Sequence, residues 1–170
     1  MKNIVLVGFM GTGKTAVGRR LAKRLDLPFV DLDENIARSA GRSIPEIFVE
    51  EGEPAFRKRE SEAVQAIATG TGQVVAAGGG GMLNEANVQA LKRTGFLICL
   101  TARPEVILKR ALKSLPSRPL LNGPDPEARI EEMLKQRAAS YAKADVTIDT
   151  SDRSVQEIVE EIVRWINEKR

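Results

Sequence analysis

The chain has 170 residues, 42% of them apolar and 29% charged, a balance that suits one globular domain around one core. There is no histidine, so the commonest general base and transition-metal ligand are missing, and proton transfer at neutral pH falls to carboxylates, lysines or tyrosine. A net charge of +3, with aromatics at 4% that do not alternate with the basic residues, points to a pocket for small anions and away from a nucleic-acid surface.

The first apolar run, 4–7, is too short for a signal peptide or a membrane span, so a soluble cytoplasmic protein is expected. It predicts a strand that runs into GFMGTGKT, residues 8–15, which matches G-x-x-x-x-G-K-[ST] and is followed by helical spacing at Val17, Leu21, Ala22 and Leu25. Gly8, Gly11 and Gly13 let the backbone wrap closely, so that N–H groups and a helix N-terminus face phosphate oxygens. Lys14 would reach the β- and γ-phosphates and the Thr15 hydroxyl would ligate Mg²⁺, with Thr12 and Ala16 completing the nucleotide-binding stretch. ATP is the expected donor, since the guanine-specific N-K-x-D motif is absent.

A second strand at 28–32 ends in FVDLDE, and alternation places Asp31 and Asp33 on one side of it at the carboxyl end, where open α/β sheets bind ligands. Asp31 would hold Mg²⁺ through its water shell. Asp33 is either a general base for an attacking hydroxyl or a helix N-cap. In EGEPAFRKRE, 51–60, Arg57 and Glu60 form either a surface ion pair or a fork oriented toward a substrate carboxylate. A third strand at 74–77 runs into Gly78, Gly79, Gly80 and Gly81, which make either a flexible turn or a close approach to a ligand.

A fourth strand at 96–100 carries Cys99, the one cysteine, as a buried residue. Residues 112–126, LKSLPSRPLLNGPDP, hold four prolines and a glycine and predict a surface excursion usable as a lid. A fifth strand at 146–148 precedes a helix with Val155, Ile158, Val159, Ile162, Val163 and Ile166 on one face. Charge-free strands alternating with helices predict a buried parallel sheet in a three-layer α/β/α sandwich.

In their order, GFMGTGKT, DLD, FRKRE, the glycine run, SRPLL, the R-x-x-x-Y of Arg137 to Tyr141 and ADVTIDT resemble the shikimate kinase family over nearly the whole chain. The resemblance implies a P-loop kinase of the nucleoside-monophosphate-kinase type, with a five-stranded parallel sheet in the order 2-3-1-4-5. It implies one domain over 1–170, with an acceptor-binding region at about 32–61 and a mobile lid at about 112–126. It further implies MgATP as donor, shikimate as acceptor, and a monomer that binds neither nucleic acid nor membrane. By position, Asp33, Arg57, Arg137 and the glycines Gly78 to Gly80 would hold shikimate, with the two arginines on its carboxylate and Asp33 on its ring hydroxyls. Phe48 and Phe56 would wall the pocket. Arg118 would move in with the lid and touch the transferring phosphate, while Arg110 would lie on the adenine face and Arg153 near the adenine loop. The alternatives are a sugar-acid kinase such as gluconate kinase, and an ATP-binding regulatory module without catalysis.

Overall fold

The computed structural model describes residues 1–113 and 119–169. Five parallel strands form one sheet: β1 (Asn3–Val7), β2 (Phe29–Asp31), β3 (Val74–Ala76), β4 (Gly95–Thr101) and β5 (Val146–Asp149), side by side in the order β2-β3-β1-β4-β5. The order is the expected one. Each of the five apolar runs supplies a strand; β1, β3 and β4 are covered on both faces, while the edge strands β2 and β5 are only partly buried.

Alternation along the strands builds two cores. Val5 and Val7 of β1 join Val75, Leu97 and Cys99 on one face, beneath α4 (Glu53–Ile67), α5 (Glu85–Thr94), α6 (Pro104–Leu112) and α7 (Pro126–Tyr141). Ile4 and Leu6 join Val74, Ile98 and Leu100 on the other, beneath α1 (Lys14–Leu25) and α8 (Val155–Glu168). The period of two sorts the strand residues by face, and the helices close both sides. A third, smaller core of Ile36, Ile47 and Phe56 joins α2 (Leu32–Ala40), α3 (Ile44–Glu51) and α4 beside the sheet.

Helix α8 is set by a capping box, in which Ser154 accepts from Glu157 N–H and the Glu157 carboxylate accepts from Ser154 N–H. Ile158, Val159, Ile162, Val163 and Ile166 are buried as predicted, whereas Val155 is 36% exposed. It stands at the first helical position, at the end of the apolar stripe.

Two other expectations change. Strand β2 ends at Asp31, because that carboxylate caps α2 by accepting from the N–H groups of Asp33 and Glu34. Asp33 therefore lies in the first turn of a helix, and the shared side of an extended strand predicted for the two aspartates is replaced by a strand-to-helix corner. The 112–126 excursion is also partly anchored. Within it a 3₁₀ turn at Pro119–Leu121 places Leu121 in the core at 2% exposure, and Asp125 caps α7. Arg118 lies outside the described residues. Among the described residues no helix is long and apolar enough to cross a membrane.

The α8 stripe should dominate the stability of its layer. Ile162→Ala removes a fully buried side chain and should lower unfolding free energy by about 2–5 kcal/mol, read as a lower urea midpoint with an unchanged slope.

Candidate active site

The turn from β1 into α1 determines where phosphate can sit. Gly8 has φ 130°, and a Cβ there would overlap the carbonyl of Leu100 on the neighbouring strand, so no other residue passes at this point. Gly11 and Gly13 also take positive φ, and Gly13 leads directly into the first turn of α1. Lys14 Nζ folds back to donate to the carbonyls of Gly8 and Phe9 at 2.9 and 2.8 Å. The loop thus holds its ammonium group over its own backbone, beside the positive end of the α1 dipole.

Three residues latch this loop to the sheet. Thr12, fully buried, donates its hydroxyl to Phe9 O. Thr150 Oγ1 lies 2.8 Å from Thr12 O and 3.0 Å from Thr101 O, so its single proton serves one carbonyl at a time. Arg110 donates to Gly11 O and to both oxygens of Thr150. Sequence reading assigned Arg110 to the adenine face; the structure shows its guanidinium edge bracing the loop.

Thr15 at the start of α1 donates its hydroxyl to Asp31 Oδ2 at 2.8 Å, while Asp31 Oδ1 caps α2. Two hard oxygens at the mouth of a phosphate loop fit Mg²⁺, which keeps several waters and takes phosphate oxygens as its remaining ligands. Thr15 and Asp31 are the residues that would hold it.

The other end of the cleft is built on α4, the glycine run and α7. Glu60 is buried at 2% exposure, and its Oε1 accepts from Arg57 Nη1 at 3.0 Å. Glu53, one turn earlier, takes a second Arg57 nitrogen at 3.3 Å. The glycine run is an ordered pair of turns, with Gly81 N–H donating to Gly78 O and Leu83 N–H to Gly80 O. Glycine there leaves room for the site's own side chains. A Cβ on Gly78 would lie 2.6 Å from Glu60 Oε2 and 2.8 Å from Asp33 Oδ1, and one on Gly80 would fall on the Arg57 guanidinium. Arg137, buried on α7, donates to Gly79 O at 3.2 Å, as does the hydroxyl of Tyr141 at 2.6 Å.

Both ends open into one cleft of about 820 Å³. Of the residues predicted for the site, it is lined by Gly11, Gly13, Lys14, Thr15, Ala16 and Asp31 at the phosphate end. Asp33, Phe48, Phe56, Arg57, Gly79, Gly80 and Arg137 line the acceptor end, and Arg110 also reaches it. The Phe48 and Phe56 rings pack against each other at 4.9 Å. Gly8, Thr12 and Gly78 stand behind the wall as supports. Arg153 does not line the cleft; it donates to Asp149 O at 3.2 Å and to Glu161 at 2.5 Å. Its neighbours on β5 and α8 hold it against the flank.

Sequence reading missed the rest of the lining. Ile44 and Pro45 at the start of α3 and Leu120 within the 3₁₀ turn also face the cleft. They carry no chemistry of their own; the packing of α2, α3 and α4 brings Ile44 and Pro45 there, and the 3₁₀ turn's seat on the main core brings Leu120. Cys99, by contrast, is the inert strand residue expected, its thiol pushed up to about 11 by burial.

Burial pushes the Glu60 carboxyl above its ordinary value of 4.5, against the pull of Arg57, and the charge of Asp33 adds to the push. A carboxyl that holds its proton more tightly when folded contributes stability fully below 4.5 and loses that contribution as pH rises through its folded value. Glu60→Gln lacks this component. Urea titrations across this range should show the wild type losing ground to Glu60→Gln as pH increases; curves that stay parallel would mean that Glu60 titrates alike in both states.

Comparison with known proteins agrees with this layout. The family model described as shikimate kinase matches residues 10–167. A shikimate kinase of Symbiobacterium thermophilum is 50% identical over 169 residues, covering 98% of this chain and 97% of that protein. One of Caldanaerobacter subterraneus is 48% identical over 164 residues, covering 96% of this chain and 95% of its own. Among solved structures, shikimate kinase from Acinetobacter baumannii in complex with shikimate superposes with a TM-score of 0.96 at 36% identity, covering all of this chain and 95% of that one. With matches in sequence, family model and fold that each span nearly its full length, the chain belongs to the shikimate kinase family.

Proposed function

We infer that this protein transfers the γ-phosphate of MgATP to the 3-hydroxyl of shikimate, the phosphorylation step of that branch of aromatic amino-acid biosynthesis. One observation carries the reading: a single cleft has a glycine-wrapped lysine at one end and an aspartate with two arginines at the other. A phosphate donor and a hydroxylated carboxylate fit such a cleft end to end.

Phosphoryl transfer needs alignment and charge neutralisation more than covalent help. The loop N–H groups and Lys14 would bind the β- and γ-phosphates and offset charge that builds on the transferring group. Thr15, and Asp31 through water, would hold Mg²⁺, which would supply Lewis-acid neutralisation of the phosphate oxygens. Asp33 would accept the proton of the attacking hydroxyl and orient the ring hydroxyls. Arg57, set by Glu60 and Glu53, and Arg137 would bind the acid group, with Gly78 to Gly80 giving room for close approach and the Phe48–Phe56 pair walling the ring. Arg110 would contribute its flat face to adenine. Arg118 of SRPLL is assigned to the transferring phosphate on its sequence motif, and Arg153 to the adenine side on position alone.

The whole chain is read as one kinase domain, with acceptor-binding residues at about 32–61 and a lid at about 112–126. It would act as a cytoplasmic monomer on small molecules, without nucleic-acid or membrane partners.

ADP release from ATP should depend on shikimate and stay at background with gluconate. Equal turnover with both acids would favour a sugar-acid kinase, and ATP binding without acceptor-dependent release would favour a regulatory module. Lys14→Met or Asp33→Asn should each cut kcat by about 10³-fold or more, given the weight of charge stabilisation and general-base catalysis, with the circular dichroism spectrum preserved. Arg57→Ala and Arg137→Ala should act mainly on the KM for shikimate, each by roughly 10- to 100-fold, as expected for charge-assisted hydrogen bonds. A normal shikimate KM in both variants would remove the arginine clamp from the mechanism.

A further inference from the structure

Arg137 and Tyr141 lie four residues apart on the inward face of α7, both buried, and both reach the same oxygen, the carbonyl of Gly79. The hydroxyl is the closer donor, at 2.6 Å against 3.2 Å for the guanidinium. A carbonyl has two lone pairs, so both bonds coexist. At the next residue, the Arg57 guanidinium packs where a Gly80 side chain would be. The rigid, planar Gly79–Gly80 unit therefore touches both arginines, Arg137 at the Gly79 carbonyl and Arg57 at the Gly80 Cα, and Tyr141 holds that carbonyl.

We propose that Tyr141 is a positioning residue for the carboxylate end of the acceptor, holding the Gly79 carbonyl so that Arg137 can turn its guanidinium to the substrate. Without the hydroxyl, Gly79 O depends on Arg137 for a donor. Each movement of Arg137 toward a carboxylate would then strand a half-buried carbonyl, a cost that weakens acceptor binding. With the hydroxyl in place the carbonyl stays paired while Arg137 moves, and the spacing between Arg57 and Arg137 stays set by a rigid peptide. Tyr141 does not line the cleft, so it acts through its neighbours. The inference rests on the assignment of the acceptor's carboxylate to Arg57 and Arg137.

Tyr141→Phe keeps the ring and removes the donor. It should raise the KM for shikimate on the order of tenfold, the effect of one such hydrogen bond, while kcat and the KM for ATP stay within about twofold. The sharper readout is the ratio of kcat/KM for shikimate to that for its carboxamide, which cancels any difference in folded fraction. This ratio should fall on the order of tenfold in Tyr141→Phe, because the neutral amide makes little use of Arg137. An unchanged ratio in Tyr141→Phe, with a collapsed ratio in Arg137→Ala, would overturn the role of Tyr141 and leave the clamp standing. An unchanged ratio in Arg137→Ala would remove the clamp itself, and this inference with it.

Discussion

The close passage of the 8–13 backbone over strand β4 is the constraint on which the molecule's layout depends. At Gly8 the chain leaves the central strand so near to Leu100 that a methyl group would overlap a carbonyl oxygen. The loop must therefore rise straight from the middle of the sheet, and α1 must begin at its far side. A triphosphate bound there lies above the carboxyl ends of the strands, where neighbouring crossovers diverge and leave a crevice. Thr150 and Arg110 tie the loop to β5 and α6, so the cradle is braced from a strand two places away and from the helix after β4. Such bracing matters because a phosphate site works by presenting donors already in place.

The acceptor end obeys a different economy. It buries a carboxylate, Glu60, and desolvation of a charge is costly unless the charge is paired. Arg57 supplies the pairing for one oxygen, while Oε2 finds no hydrogen-bond partner among the described residues. A site that keeps a buried acid against an arginine, with Asp33 close by, gains a fixed guanidinium and gives up stability to obtain it. The raised proton affinity of Glu60 is the trace of that exchange. The glycine run follows from the same crowding, since Glu60, Asp33 and Arg57 occupy the volume that side chains at Gly78 and Gly80 would fill.

These two ends differ in how far the sequence reveals them. The phosphate loop is local: its glycines, lysine and threonine are consecutive, and their spacing states their geometry. The strands were legible for a similar reason: short apolar runs that are buried in β1, β3 and β4 and half-covered at the edges, β2 and β5, have few other uses. The corner at Asp31 was not, since a carboxylate at a strand end can continue the strand or cap a helix, and the cap prevails only once α2 packs over its small core. Arg110 could be placed near the nucleotide but not bonded to Thr150, which lies 40 residues on. Glu53 as a second partner of Arg57 was in reach, since i and i+4 on a helix face each other. Ile44, Pro45 and Leu120 offered no signal beyond hydrophobicity.

The strand order explains why the acceptor end must be assembled from distant pieces. With β1 in the centre, the crossover from β2 to β3 carries α2, α3 and α4 to one side of the cleft, and the crossover from β4 to β5 carries α6, the 3₁₀ turn and α7 to the other. Arg57 arrives from the first crossover and Arg137 from the second. Two cations brought in from opposite sides repel each other, so their separation must be held by something rigid and neutral. A planar peptide bordered by glycines meets that need, because it admits one guanidinium against its Cα and the other at its carbonyl. The strand that delivers this peptide, β3, pairs directly with β1. The peptide that meets both arginines and the phosphate loop thus follow neighbouring, paired strands of one sheet.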